Sequence, residues 1–237
     1  MRHRRDPDQQ GHQQPGPLRR ALGALAHRSR RGAGRWTLSD VRATYTGEEF
    51  RGDDFGGADL GNVLYTDCHF SGADLTEVRT RSAMFDRCTF SSCRLNASEH
   101  ESTAFVACEF RRTSFFTATL LGCKLSGSSF VECRLSPLTV RGGIWRGVAL
   151  RGADVAKIDL TGVDLREADL SEADFSGATL RGCDLSYARL RNTVLTDADL
   201  TGAQLDNVSL REALLLRTTL DVAGAIALAK AHGALLA

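Results

Sequence analysis

Proline is scarce in this chain: four in 237 residues, three of them before residue 18 and the fourth at position 137. That excludes a collagen or a proline-rich linker. No run approaches the roughly 18 consecutive apolar residues of a membrane helix, so no membrane association is expected. The apolar stretch at residues 18–27 is too short and too interrupted for a secretory leader. Seven cysteines occur without a single C-x-x-C pair, which removes the usual zinc and dithiol spacings. The phosphate loop, the nucleophile elbow and the paired-histidine zinc helix are missing from any usable context. An enzyme is therefore not expected, and neither is a cofactor or a metal.

A dominant charge is missing too, since 30 basic and 29 acidic side chains leave a net of +1. The balance hides an uneven placement. Residues 1–36 hold nine Arg against Asp6 and Asp8, a net of +7, so the remainder carries 1 − 7 = −6. An apolar content of 42% is enough for a substantial core and excludes a mostly disordered chain.

What is present is a period of five. Of the 36 positions taken every fifth residue from Tyr45 to Leu220, 34 are apolar, and the exceptions are Thr80 and His100. The phase never slips. Two residues earlier runs a column of small residues, among them Ala73, Cys88, Cys93, Ala168 and Ala178. Five fits neither the 3.6 of a helix nor the 2 of a flat strand. It becomes physical if each pentad is one short extended edge plus one corner. Four pentads then close a coil of 20 residues, and coils stack about 4.8 Å apart. The expected fold is an all-β solenoid of about nine coils, with both columns inward and three residues in five facing water.

Glycine recurs two residues after the large apolar one, as at positions 72, 122, 152 and 182. A type II corner needs positive φ there, which glycine adopts without steric cost. Pro137 occupies the same column and cannot adopt it, so the corner Leu135–Leu138 is expected to depart from its neighbours. All seven cysteines fall in the small inward column, which favours packing over metal or redox chemistry and suits a reducing cytoplasm. Thr80 and His100 lie one coil apart, where a buried hydrogen bond is expected.

Aspartate sits just before the large residue at Asp154, Asp159, Asp164, Asp169, Asp174, Asp184 and Asp199. Short polar residues suit the solvated face of a repeat, and a regular array of anions also suits a groove built for phosphates. Phe116 and Leu121 are large apolar residues on adjacent edges of one coil, a small contact patch for some other protein. The five-period ends at Asp221, where Val222, Ile226 and Ala229 share one helical face and Gly233 is placed to stop it. The division is thus a basic and largely disordered or partly helical tail (1–36), a repeat body (37–220), and a C-terminal capping or dimerisation helix (221–237).

Pentads such as Ser71–Leu75 and Thr196–Leu200 resemble those of pentapeptide repeat proteins. The stretches Arg81–Phe85, Phe130–Thr139 and Ala229–Gly233, with the irregular Thr80 and His100, are similar to the MfpA/Qnr fluoroquinolone-resistance group. The resemblance implies a right-handed quadrilateral β-helix that imitates duplex DNA, binds DNA gyrase and shields it from fluoroquinolones. It implies a cytoplasmic homodimer joined at the C-terminal ends, with no direct DNA binding by the β-helix. The acidic residues from Asp154 to Asp199 would form the gyrase-binding surface. Val222, Ile226, Ala229, Leu235 and Leu236 would form the dimer segment. The alternative is a non-enzymatic scaffold for another protein partner.

Overall fold

The computed structural model describes residues 43–235; the basic tail and Leu236 lie outside the described residues. From Phe50 to Leu200 every fifth side chain is buried, and most of the small column beside it is buried as well. The inward set therefore lines one axis, and the chain turns a corner after each pentad. Faces are numbered here by the residue at their centre: the first holds Tyr45 and Tyr65, the second Phe50 and Phe70, the third Phe55 and Leu75, the fourth Leu60 and Thr80.

Successive coils pair in parallel with a register of twenty residues, as in Tyr45 opposite Tyr65 and Phe70 opposite Phe90. The first face carries the four-stranded sheet of Thr44–Thr46, Leu64–Thr66, Met84–Asp86 and Ala104–Val106. The second face carries five strands, from Glu49–Arg51 to Ser129–Val131, and the fourth carries four, from Arg79–Arg81 to Thr139–Arg141. The third is held by single bridges such as Asp54–Asp74–Arg94–Ser114–Arg134. Phe50, Phe70, Phe90, Phe110 and Phe130 form one column of near-parallel rings with centroids 4.7–4.8 Å apart. That spacing is the inter-strand distance itself, so ring stacking and ladder bonding reinforce one register.

The coils are not alike, which corrects the expectation of about nine. Three-residue strands fill only residues 44–141, about five turns. Beyond them isolated bridges continue the stack as far as Asp199 opposite Thr219. On most of the third face, and beyond Trp145, the corner closes on its own amide, as in Ala153 N–H to Leu150 O at 3.0 Å and Ala168 to Leu165 at 3.1 Å. In strand-bearing corners the carbonyl accepts instead from a small-column donor of the coil above. Cys108 Sγ donates to Phe85 O (3.3 Å), Thr113 to Phe90 O (3.0 Å), Ser128 to Phe105 O (2.9 Å) and Cys133 to Phe110 O (3.3 Å). These four corners have no amide closure and stay extended, whereas Leu160 O and Leu170 O accept both the Cys183 or Thr193 side chain and their own corner amide. The cysteines are therefore more than small packing residues, although all seven are free thiols and all but Cys133 are buried. Burial pushes the Cys93 thiol up to about 11, which keeps it a protonated donor.

Corner positions two residues past a large apolar one have positive φ, Pro137 and Glu212 excepted. Gly72, Gly122, Gly152 and Gly182 lie at +59° to +66°, and twenty non-glycine residues share the conformation, including Thr117 at +59°. The ladder imposes the corner on whatever residue stands there. Pro137 departs as expected: its bond to Ser136 is cis, the arrangement of a type VI turn, while its carbonyl still accepts from Thr117 N–H at 2.8 Å.

Thr80 and His100 form the expected bond, Oγ1 to Nδ1 at 2.7 Å, inside a larger polar cluster. Ser98 Oγ–H donates to Leu95 O at 2.7 Å, so its oxygen accepts Nε2–H of His100 at 2.9 Å. Thr80 must then donate to Nδ1 and accept from Thr103 Oγ1 at 2.7 Å. Every polar atom of the ring is used, and burial holds the imidazole neutral, down to about 4.

The helix α1 (Val222–Ala231) follows the last coil. Asp221 caps it by accepting Gly224 N–H (2.8 Å) on one oxygen and ties it to the coil beneath by accepting Gly202 N–H (2.9 Å) on the other. Gly233, at φ +85°, ends it, with Ala234 N–H returning to Ala229 O at 2.9 Å.

Candidate functional site

The outward aspartates have a local task first. Each curls back so that Oδ1 accepts the amide two residues on, an Asx turn that fixes the corner. The distances are 3.2 Å for Asp154 with Ala156, 2.9 Å for Asp159 with Thr161 and 2.8 Å for Asp174 with Ser176. Asp169, Asp184 and Asp199 make the same bond to Ser171, Ser186 and Thr201. Asp thus favours this column because its side chain completes the backbone, and Oδ2 is left facing outward.

Arginine decides which of those second oxygens remain available. Arg166 chelates Asp164 through Nη2 (2.6 Å) and reaches Asp184 at 3.5 Å. Arg181 holds Asp199 at 2.9 Å, and Arg189 stands 4.0 Å from Asp169. The Arg166 bond keeps the Asp164 carboxyl below its usual range, and the Thr201 hydroxyl does so first for Asp199. Among the described residues Asp154, Asp159 and Asp174 make no ion pair within 4 Å. The seven aspartates also do not share a face: Asp164 and Asp184 stack on the first, Asp169 lies on the second, Asp154 and Asp174 stack on the third, and Asp159 and Asp199 lie on the fourth. What the structure brings together with open carboxylates is the edge where the third face meets the fourth, at Asp154, Asp174 and Asp159.

Charge is banded along the axis. Residues 43–109 hold 5 basic and 12 acidic side chains, residues 110–150 hold 6 and 1, and residues 151–220 hold 8 and 12. A basic waist therefore separates two acidic parts, and the aspartate edge belongs to the second. The sequence itself places Arg166, Arg181, Arg189 and Arg191 beside this acidic array, where they dilute its field; the cross-coil pairs Arg87–Asp67, Arg94–Asp74 and Arg217–Asp197, each 20 residues apart, emerge with the fold.

At the C-terminal end Val222 is 78% exposed, Ile226 and Leu235 are exposed, and Ala229 is half-buried. Ile226 also lines a groove of about 800 Å³ between α1 and residues 202–209. Leu214 and Leu216 add exposed apolar surface on the third face nearby. Phe116 and Leu121 do not form a joint patch. The Arg134 guanidinium lies 4.0 Å over the Phe116 ring, and Leu121 projects alone from the next face. Among the described residues no group of three or more His, Cys, Asp or Glu side chains converges to hold a metal ion, and no helix is long and apolar enough to cross a membrane.

A family model for pentapeptide repeats matches in eight copies, over residues 54–96, 146–182 and 173–212. Among solved structures, trypsin-treated QnrB1, a plasmid-mediated fluoroquinolone resistance protein, is similar with a TM-score of 0.71 at 22% identity, covering 82% of this chain and 98% of that one. Full-length QnrB1 gives 0.67 at 21%, covering 81% and 100%. At that identity the likeness is one of fold. No curated protein sequence matches the chain significantly.

Proposed function

Because the chain belongs to the pentapeptide repeat proteins and has the fold of QnrB1, we propose that it is a non-enzymatic, DNA-mimicking ligand of DNA gyrase that protects the enzyme from fluoroquinolones. One observation carries the reading: Asp154 stacks on Asp174 with Asp159 around the corner, each holding its own turn with one oxygen and offering the other. A rigid ladder of outward anions about 4.8 Å apart presents charge as a phosphate backbone does, without the freedom of a flexible acidic tail. Asp164, Asp169, Asp184 and Asp199 contribute less, because Arg166, Arg189 and Arg181 offset them.

The exposed Val222 and Ile226, with Ala229 and Leu235, support a homodimer joined at the C-terminal ends. Such pairing would double the length of the imitated duplex. The protein would act in the cytoplasm, where gyrase is found, without binding DNA through its β-helix.

A supercoiling assay with purified gyrase, with and without a fluoroquinolone, tests the reading. Full-length protein should inhibit supercoiling and lower drug-stabilised cleavage. The triple change Asp154→Asn, Asp159→Asn and Asp174→Asn keeps each turn, since Asn Oδ1 accepts the same amide, and removes three charges. It should weaken the effect about tenfold or more, and the pair Asp164→Asn and Asp184→Asn should weaken it less. Wild-type protein without effect on either readout would end the proposal.

A further inference from the structure

The first face has a use that gyrase binding does not touch. Its row just before the central residues reads Leu64, Met84, Ala104, Lys124, Ile144, and the pairing places each directly above the last. Four of the five are apolar; Leu64, Met84 and Ala104 are half-buried, and Lys124 and Ile144 are exposed. Ile144 is 47% exposed, and Leu121, at 36%, flanks the row from the fourth face. On the fourth face Leu121 stands between Glu101 and Arg141. Lys124 and Arg141 make no ion pair within 4 Å among the described residues, unlike most arginines of the rod. Both belong to the basic waist.

A solvated repeat has no reason to align apolar groups along one axis with an unpaired Lys124 among them. We propose that the first face is a docking strip for an acidic amphipathic helix of a partner protein, lying along the rod axis. The spacing is the first argument. Helix residues three or four apart recur about every 5.4 Å, close to the coil spacing of about 4.8 Å, so one apolar stripe can follow the row for its whole length. Ala104 leaves a notch between Met84 and Ile144 for a large side chain, the usual mode of helix recognition. Charge is the second argument: Lys124, in the basic waist, would meet a helix carboxylate with no existing ion pair to break, and Arg141 flanks it from the fourth face. The aspartate edge lies where the third face meets the fourth, so the two surfaces can be occupied independently.

Fluorescence anisotropy with the full-length chain tests this, using two labelled synthetic amphipathic helices that share one leucine stripe and differ only in a Glu-rich or Lys-rich opposite face. The Glu peptide should bind at least about tenfold tighter than the Lys peptide. Met84→Glu should weaken it about tenfold, and so should Lys124→Glu combined with Arg141→Glu, whereas Asp154→Asn should leave it unchanged. Equal binding of both peptides, or binding indifferent to these changes, would overturn the proposal. So would sedimentation showing that Met84→Glu turns a dimer into a monomer, because the occupant would then be a second copy of the chain.

Discussion

At the scale of single residues, the pentad assigns each side chain one task, and the exceptions show how strongly. His100 is neutral and fully hydrogen-bonded within the core. Its folded pKa, about 4, lies below the usual 6.5, so between those values the unfolded chain binds the extra proton. Stability from this group is therefore complete above pH 6.5 and is lost as pH falls from there to 4, up to about 3 kcal/mol. Melting temperatures taken across that window should fall steeply for the wild type, and His100→Gln should flatten the slope even if it lowers the plateau. Thr117 makes a different point. It is β-branched at φ +59°, a conformation that costs an L-residue about 1–2 kcal/mol. Thr117→Gly should raise stability by about 1 kcal/mol in denaturant titration, since glycine adopts this φ freely. Gly143→Ala should do the reverse and cost more. Its Cβ would stand 2.4 Å from Cys123 O and 3.3 Å from the indole nitrogen of the buried Trp145, at φ +122°.

At the scale of the element, the columns were legible in the sequence because burial is periodic and nothing interrupts it. Inward Phe90, Leu170 and Cys108, the helix after Asp221 and the irregular corner at Pro137 followed from phase and turn chemistry alone. The difference between extended and closed corners was not legible: bonds between residues 23 apart, such as Cys108 to Phe85, accompany open corners in the strand-bearing coils, yet Cys183 to Leu160 meets a closed one. Composition records only that Cys, Ser and Thr replace Ala. Cys108→Ala should leave the Phe85 carbonyl short of a donor and cost about 1 kcal/mol, whereas Cys108→Ser should restore most of it. Differential hydrogen exchange of the flanking strands would locate the loss. The cap of α1 is a second case. Asp221→Ala removes bonds to both Gly224 and Gly202, and should cost about 1–2 kcal/mol while speeding exchange at both amides.

At the scale of the molecule, the sequence located the aspartates but not their availability. Counting acids predicted a surface running from Asp154 to Asp199. The coil distributes those residues over four faces; Arg166, two residues along the same coil, closes Asp164, and Arg181 from the coil beneath closes Asp199. This follows from the fold, since a partner 18 or 20 residues away is remote along the chain and adjacent in space. The surviving anionic edge is small, so its contribution should be strongly salt-dependent. The measurement that tests mimicry most directly is competition: labelled full-length protein bound to gyrase, titrated with linear duplex DNA at two ionic strengths. DNA mimicry predicts that duplex displaces the protein completely, and that the protein's own affinity falls about tenfold or more from low to high salt. A stable ternary complex of gyrase, duplex and this protein, with an affinity indifferent to salt, would contradict it.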